Sequence, residues 1–154
     1  MAFVEILDPR NSDVMLEEAE NYFSRNKGDD ILTTSVATSP VKQGTVVWRA
    51  KSADPLAAWD IVDAGADISI NNEYAILLGA QETGKVFAPS ERFTVASATA
   101  TKVILIKRQA RVKEQVLKDV HMTGYGLNQT QFNQLKHLMA NQGILVEDSL
   151  TPVA

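Results

Sequence analysis

Residues 74–79, YAILLG, form a short apolar run of the β type, and five further runs of this kind decide the fold class. The others are, in chain order, ILTTSVA (31–37), TVVWRA (45–50), AAWDIV (57–62), RFTVAS (92–97) and KVILIKR (102–108). Turn-forming residues separate the runs, among them Ser39-Pro40 and Asn71-Asn72. No helical pattern lies between them, so they predict an antiparallel sheet or small barrel rather than a fold of alternating strands and helices.

The end of the chain returns to helical patterns. Asn128 or Thr130 can cap a helix, and Gly143 fits the residue just past its end. The apolar face of this helix consists of Phe132, Leu135, Leu138 and Met139. A shorter helix is predicted over residues 113–119, and GILVEDS (143–149) predicts a last short strand. The predicted fold class is therefore α+β, a β-rich single domain of short strands with a C-terminal helix.

An N-terminal arm is predicted ahead of the sheet. Asp8-Pro9 discourages a helix just before the proline, and Asn11 or Ser12 can cap one that starts after it. Helical spacing of apolar residues predicts a short helix over residues 12–23, with an extended arm that orders only on binding as the alternative. We divide the chain into an arm (1–28), a β-rich domain (29–150) and a tail (151–154).

The composition is that of a protein with one hydrophobic core. The 154 residues are 45% hydrophobic and 22% charged, far from the composition of a disordered chain. The net charge is −4 and the basic residues are scattered, which disfavours nucleic acid as a direct partner. No cysteine is present, so disulfides and thiolate metal sites are excluded. The apolar runs fall short of the ~20 residues of a membrane span, so we expect no membrane partner.

No pattern of catalytic residues stands out. His121 and His137 lie in different elements without metal-site spacing, and we expect a loop histidine and a helix-surface histidine. TGYGLN (123–128) lacks the third glycine of a dinucleotide fingerprint and predicts a turned loop. The acidic pairs Asp29-Asp30 and Asp60/Asp63 lack the alternating ligands of a calcium loop. We predict a protein that is not an enzyme and holds no metal or cofactor.

Two aromatic positions and one basic cluster have alternative interpretations. Trp48 and Trp59 lie in β-type runs and are predicted in the core, with an exposed platform for sugar as the alternative. A basic cluster follows the last apolar strand. It predicts a solvated strand end, or a surface that complements an acidic neighbouring subunit, and consists of Lys107, Arg108, Arg111 and Lys113.

The order of several short segments resembles the lambda-type bacteriophage head decoration proteins, also called capsid cement proteins. These segments are ENYFSRNKGDD (20–30), SPVKQGTVV (39–47), DPLAAWDIVDAG (54–65), YAILLG (74–79), KVILIKRQARV (102–112), EQVL (114–117) and NQGILVEDS (141–149). The resemblance spans residues 20–148, and its force lies in the order of the segments. The chain departs from the family in its long acidic segment before Tyr22 and in AGADISINNEYA (64–75) between the middle strands.

The resemblance implies a structural virion protein. Family members bind as homotrimers to the outside of the expanded capsid, at three-fold and quasi-three-fold positions, and clamp adjacent capsomers. The implied partners are the major capsid protein and further copies of the chain, and the implied location is the outer capsid surface of a virion assembled in the host cytoplasm. Many weak contacts from identical copies give avidity without a single tight site.

The arm is the expected capsid-binding element, because an arm that adds a strand or an amphipathic helix to a neighbour supplies hydrogen bonds and apolar anchors together. The candidate capsid contacts are Phe3, Val4, Ile6, Leu7, Tyr22 and Phe23. The first four can instead pack on the protein's own sheet. Ser24 and Arg25 are the candidate joint between the arm and the body or a neighbouring subunit, since a guanidinium can bind carboxylates or carbonyls with two donors.

Two other functions stay open. One is a carbohydrate- or receptor-binding β module on a virion fibre or cell surface, with Trp48 or Trp59 as its platform. The other is a small trimeric nucleotide hydrolase, which requires convergent carboxylates and a metal in a cleft between subunits. The motifs that define such an enzyme are not visible in the sequence.

Overall fold

The structure is a computed structural model, and it describes residues 15–18, 30–34, 38–80, 85–86, 93–96 and 100–148. Within these ranges the chain forms a curled antiparallel sheet with a short helix and a C-terminal helix, which confirms the predicted α+β, β-rich fold class. The described strands are β1 (Met15–Glu18), β2 (Asp30–Leu32), β3 (Thr38–Val41), β4 (Val46–Ala50), β5 (Asp60–Ile61), β6 (Asn72–Ala80), β7 (Lys85–Val86), β8 (Phe93–Ala96), β9 (Thr101–Ile106), β10 (Ala110–Lys113) and β11 (Ile144–Glu147). The helices are α1 (Glu114–Lys118) and α2 (Gln129–Asn141), and a π-helical turn (Asp119–Gly124) follows α1.

The main sheet has the strand order β2-β9-β6-β4-β5, and every neighbouring pair in it is antiparallel. β7 pairs with the far end of β6. The sheet is curled, and its two edges meet where Leu32 and Trp59 form a parallel bridge. Two backbone hydrogen bonds hold this contact, Thr33 N to Trp59 O at 2.8 Å and Trp59 N to Ile31 O at 2.8 Å.

β6 is apolar from Tyr74 to Leu78, where both of its faces are covered. Tyr74, Ile76 and Leu78 face a cluster that contains the residues of α2, while Ala75 and Leu77 point into the curl of the sheet. The alternation of side chains along a strand explains why consecutive residues enter two different clusters. The run YAILLG therefore contributes buried side chains to both hydrophobic clusters of the core.

Helix α2 begins and ends where the sequence predicts. Asn128 caps it: its side-chain oxygen accepts from Gln131 N at 2.8 Å, while its own N–H donates to Gln131 Oε1 at 3.0 Å. Gly143 follows the helix with φ of 85°, a left-handed conformation that favours glycine. The buried face of the helix consists of Phe132, Leu135 and Met139.

A smaller sheet has the order β1-β10-β11. β10 and β11 are parallel, with α1, the π-helical turn and α2 between them, and β1 is antiparallel to β10. This corrects the predicted helix over residues 12–23. Met15–Glu18 is a strand whose residues are matched to those of β10, from Met15 opposite Val112 to Glu18 opposite Ala110. Pairing with an available sheet edge outweighs helical periodicity there, and the rest of the predicted helix lies outside the described residues.

Two further predictions need correction, and one strand was not predicted. Ser39-Pro40, predicted as a turn, lies inside β3, where Pro40 is opposite Thr94 of β8. Among the described residues the β3-β8 ribbon has two strands, so each is an edge strand, where proline is tolerated. The run at residues 57–62 forms only the two-residue strand β5, and β10 was not predicted. No helix in the described ranges is long and apolar enough to cross a membrane.

Candidate interaction surface

Two neighbouring loops form one end of the main sheet, where β6 begins. We call residues 51–58 and 68–71 the loop face. The N–H of Lys51 donates to Asn71 O at 2.9 Å, which joins the two loops. Leu56 is 83% exposed and Ile70 is 70% exposed, the highest values among the large apolar side chains of the described residues. The loop face therefore carries two exposed aliphatic side chains, one on each loop.

Arg49 fixes the first loop, residues 51–58, through hydrogen bonds. Its side chain is buried, and its Nη1 donates to the carbonyl oxygens of Pro55 at 2.9 Å and Ala57 at 3.2 Å. Its Nε donates to Glu73 Oε1 at 2.7 Å. The Asp54 carboxylate accepts from Leu56 N at 2.8 Å. Leu56 thus stands on a loop fixed by charge-assisted hydrogen bonds, which are stronger than neutral ones.

Tyr74 holds the second loop. Its hydroxyl accepts from Ser69 N at 2.7 Å and lies 3.0 Å from the carbonyl oxygen of Asp67, to which it can donate. Asn72 Nδ2 donates to the same carbonyl at 2.9 Å. Burial raises the pKa of Tyr74 above its ordinary value, so the hydroxyl keeps its proton. Ile70 is therefore an exposed residue on a turn that these hydrogen bonds hold in place.

Trp59 lies in the core beneath the first loop, as predicted. It is 1% exposed, and its Nε1 donates to Asp30 Oδ1 at 3.1 Å. The guanidinium carbon of Arg49 lies 4.4 Å from the ring centroid and Lys107 Nζ lies 5.5 Å from it. Lys107 Nζ also lies 3.5 Å from Asp30 Oδ2. Trp59 therefore cannot serve as an exposed sugar platform.

Trp48 is partly buried and packs against the cluster that contains α2, so it lies at the margin of the core rather than inside it. Its Nε1 is buried without a hydrogen-bond partner among the described residues. Trp59 offers no open ring face of the kind that carbohydrate binding requires, and Trp48 is partly buried.

The chain between residues 54 and 73 is acidic and contains no Lys or Arg. Burial, with a hydrogen bond and repulsion from Asp67 and further repulsion from Asp60, raises the pKa of Asp63 to about 6. The Asp67 carboxylate accepts from the N–H groups of Asp63 at 3.1 Å and Ala64 at 3.2 Å. Across the described ranges, no set of three His, Cys, Asp or Glu side chains is placed to hold a metal ion. Asp54, Asp60 and Asp67 accept hydrogen bonds from backbone N–H groups in these turns.

A second exposed area lies on the small sheet. Arg111 of β10 is opposite Leu145 of β11, and Leu145 is 44% exposed. Arg111 Nε donates to Glu147 Oε1 at 3.1 Å, and its Nη2 contacts Glu147 Oε2. An open pocket of about 170 Å³ lies here, lined by Gln109, Ala110, Arg111, Gly143 and Leu145. We call these five residues the basic pocket.

The floor of the basic pocket is shaped by backbone conformation. Gln109 has φ of 47° and Gly143 has φ of 85°, and the N–H of Ala110 donates to Gly143 O at 3.1 Å. A Cβ atom at Gly143 would lie 3.4 Å from Gln109 N, an ordinary contact distance, so the left-handed φ rather than lack of space favours glycine at residue 143. The carbonyl oxygen of Gly143 therefore already accepts a hydrogen bond within the fold.

His121 is a structural residue rather than the predicted loop histidine. Its ring is completely buried in the π-helical turn, with Nδ1 2.9 Å from Val62 O and Nε2 accepting from Val46 N at 2.8 Å. Nδ1 therefore carries the proton. Burial lowers the pKa of His121 to about 4, so the ring is neutral at pH 7. His137 is exposed on α2, as predicted.

Gln142 makes a second link between α2 and the main sheet. Its Oε1 accepts from Tyr74 N at 2.7 Å and its Nε2 donates to Tyr74 O at 2.8 Å. The amide thus satisfies both backbone groups of Tyr74 on the side where the register with β9 has ended, since that register begins at Ile76. One side chain replaces a missing strand partner.

The predicted contact residues lie outside the described ranges. They are the capsid-contact candidates Phe3, Val4, Ile6, Leu7, Tyr22 and Phe23 and the joint candidates Ser24 and Arg25. Of the basic cluster, Lys107 contacts Asp30 and Arg111 contacts Glu147, so both take part in contacts within the body. Sequence reasoning did not find Leu56 or Ile70, although a leucine after Asp54-Pro55 in an acidic turn is a signal of exposure.

Comparisons with known proteins leave the family unassigned. No protein-family model matches the chain, and no curated protein or solved structure matches it. A function for this chain therefore has to be argued from its own residues and their placement.

Proposed function

We propose that this protein is a virion decoration protein, which binds as a homotrimer to the outside of an expanded phage capsid at three-fold and quasi-three-fold positions. There it clamps adjacent capsomers, so that internal pressure must break its contacts as well as those of the shell. The observation that carries the proposal is the order of sequence segments from ENYFSRNKGDD to NQGILVEDS, which resembles that of the lambda-type decoration proteins.

Two structural features support the proposal. The exposed aliphatic side chains Leu56 and Ile70 stand on loops held by buried hydrogen bonds, as suits a surface used for protein contacts. Met15–Glu18 is a strand paired with β10, so this part of the arm region can take part in strand pairing. A strand-forming arm is compatible with binding by strand addition to a neighbouring protein.

Co-sedimentation with expanded capsids tests the proposal. The capsids come from the phage that encodes the chain and are prepared without this protein. Deleting residues 2–14 removes Phe3, Val4, Ile6 and Leu7 but keeps β1, so we expect a folded trimer that no longer sediments with capsids. Deleting the tail, residues 151–154, is the matched control and should leave binding intact. Wild-type protein that stays in the supernatant would refute the function, and unchanged binding of the 2–14 deletion would refute the role of the arm.

The carbohydrate-binding alternative has less support, because Trp59 is 1% exposed and Trp48 packs on the core. A glycan array is its direct test. The nucleotide hydrolase alternative is tested by measuring nucleoside triphosphate turnover with added Mg²⁺.

A further inference from the structure

We propose that His121 forms an acid-sensitive bridge in the main sheet, and that adding a proton to its ring separates the π-helical turn from the sheet before the rest of the core unfolds. We call His121 and its two partners, Val46 and Val62, the histidine bridge. The inference concerns a conformational property of the fold and does not rest on the proposed function, so either can fail without the other.

The histidine bridge takes the place of one hydrogen bond between two strands. β4 and β5 are antiparallel with Val47 opposite Ile61, so the next pair along is Val46 and Val62. One direct bond of this pair is present, from Val62 N to Val46 O at 3.0 Å. In place of the second, Val46 N donates to His121 Nε2 at 2.8 Å, and His121 Nδ1 lies 2.9 Å from Val62 O. The imidazole is therefore inserted between two backbone groups that a regular antiparallel pair would join directly.

Only the neutral ring can make both bonds. A backbone N–H is a donor, so Nε2 of His121 has to accept and cannot carry a proton, while Nδ1 has to donate to Val62 O. A protonated imidazole has a donor at each nitrogen, so its Nε2–H would face Val46 N–H and this bond would be lost. The ring is completely buried, so water cannot replace the lost bond unless the site opens.

The charged groups on the helical side of the bridge are bound to other partners. In the π-helical turn, the exposed Asp119 carboxylate accepts from Gln115 Nε2 at 2.8 Å. Between helices α1 and α2, Lys136 Nζ donates to Glu114 Oε1 at 2.8 Å. Lys118 Nζ lies 3.7 Å from the same Glu114 oxygen. These contacts direct the charges of both helices and of the turn to each other or to solvent.

The acids beside Val62 do not offer a counter-ion either. The Asp60 carboxylate accepts from the next N–H along the chain at 2.7 Å, and the Asp67 carboxylate accepts from Asp63 N at 3.1 Å. Burial raises the pKa of Asp63 to about 6, whereas burial lowers the pKa of His121 to about 4. As the pH falls, Asp63 therefore becomes neutral before His121 becomes charged.

Two tyrosines and one arginine complete the surroundings. The ring of Tyr125 lies 5.7 Å from that of His121 between centroids, and Tyr74 of β6 belongs to the hydrophobic cluster next to the bridge. Arg49 of β4 donates to Glu73 Oε1 at 2.7 Å. Within the described part of the chain, a protonated His121 would thus be a buried charge without an ion partner, and such a charge is costly.

The cost can be relieved locally. The π-helical turn connects α1 to the loop before α2, so movement of this turn can bring the ring to solvent. β4 stays paired with β6 over five residues, from Val46 opposite Ile76 to Ala50 opposite Asn72, whether or not the bridge is made. The sheet can therefore persist while the turn separates from it, as a sub-global opening.

Hydrogen exchange of single amides, followed by NMR on the full chain between pH 7 and pH 4, tests the inference. The protection of Val46 N–H should fall by up to about tenfold per pH unit below pH 6.5, the ordinary pKa of histidine. Its exchange should hardly depend on added urea, because separation of one turn exposes little surface. Leu77 N–H donates to Thr45 O at 2.9 Å in the centre of the sheet, and its exchange should depend steeply on urea.

Two variants assign the effect to the bridge. In His121→Gln the side-chain amide can still accept from Val46 N–H and donate to Val62 O, but it does not titrate, so the protection of Val46 should no longer change with pH. His137→Gln changes an exposed histidine of α2 and is the matched control, which should behave as the wild type. If His121→Gln fails to fold, the ¹⁵N shifts of the wild-type ring decide, since Nε2 should gain its proton while Leu77 N–H is still protected.

Two results would overturn the inference. One is a wild-type Val46 N–H whose protection stays constant from pH 7 to pH 4. The other is a Val46 N–H that exchanges at pH 4 with the same protection and the same urea dependence as Leu77 N–H, because the proton would then act through global unfolding alone. Neither result bears on capsid binding at pH 7, so the proposed function is tested separately.

Discussion

The main sheet and the small sheet show how differently two parts of one chain are stabilised. The main sheet is covered on both faces, and β6 contributes buried residues to two clusters. The small sheet is assembled from three distant segments, and its β10-β11 pair leaves Arg111 and Leu145 exposed on one face. The inner face of the small sheet belongs to the core through Ala110, Val112 and Ile144, so the difference lies in its outer face, whose exposed residues are available for contacts.

The largest expected effect is the contrast between two strand leucines. Leu77 of β6 is fully buried, so Leu77→Ala should cost about 2–5 kcal/mol through lost burial and the cavity that remains. Leu145 of β11 is 44% exposed, so Leu145→Ala should change stability by less than about 0.5 kcal/mol. Urea denaturation of the two variants measures the difference. Equal losses would break the comparison, because they would mean that the outer face of β11 is as tightly packed as β6.

The next effect depends on pH and tests the link between the main sheet and the π-helical turn. The pKa of His121 is about 4 in the folded protein and 6.5 ordinarily, so the unfolded chain binds the proton more strongly. The stability linked to His121 is complete above pH 6.5 and falls as the pH drops towards 4. The loss should reach about 3 kcal/mol, since one pKa unit corresponds to about 1.36 kcal/mol.

Urea denaturation between pH 7 and pH 4 measures this loss. His137 is exposed on α2, so His137→Gln should keep the same pH dependence as the wild type. His121→Gln should flatten it while lowering stability at pH 7. A pH dependence that disappears with His137→Gln instead would show that the wrong histidine has been assigned.

A smaller effect is expected at Gln142, which bonds both backbone groups of Tyr74. Gln142→Ala leaves those groups without their partner, and the loss should be about 1–3 kcal/mol. Gln134→Ala removes an exposed amide from α2 and is the matched control, with an expected change below about 0.5 kcal/mol. Hydrogen exchange at the Tyr74 amide adds a local measurement, and protection that survives Gln142→Ala would contradict the assignment.

The smallest expected effect has the opposite sign and lies beside the loop face. Burial and neighbouring carboxylates raise the pKa of Asp63 to about 6, so its ionised form destabilises the fold above that pH. Asp63→Asn removes the charge and should raise stability at pH 8 by on the order of 0.5 kcal/mol, after screening by solvent. At pH 4, where the folded carboxyl is protonated, the gain should vanish. A gain that is equal at both pH values would assign the effect to packing instead.

The two sheets also differ in how far the sequence predicts them. The runs around β4, β6 and β9 are locally apolar and bounded by turns, and α2 has a capping pair, so local rules suffice there. β1 and β10 depend on a pairing between residues about a hundred positions apart, which no local pattern contains. The helical spacing of apolar residues over 12–23 therefore favours a helix, although Met15–Glu18 is a strand.

The candidate surface was harder to predict than the fold, since it depends on which side chains tertiary packing leaves exposed. His121 was assigned to a loop because the sequence gives no sign that Val46 and Val62 converge on it. Leu56 and Ile70 differ from core residues only in their place on loops held by Arg49 and Tyr74. The predicted contacts in the arm, from Phe3 to Arg25, stay predictions.

Cryo-electron microscopy of capsids tests the central claim most directly. Expanded capsids that lack this protein are incubated with it, and unexpanded capsids are treated in parallel. We predict added three-lobed density at the three-fold and quasi-three-fold positions of the expanded shell only. Expanded capsids without added density at saturating protein would contradict the proposal that the chain is a decoration protein.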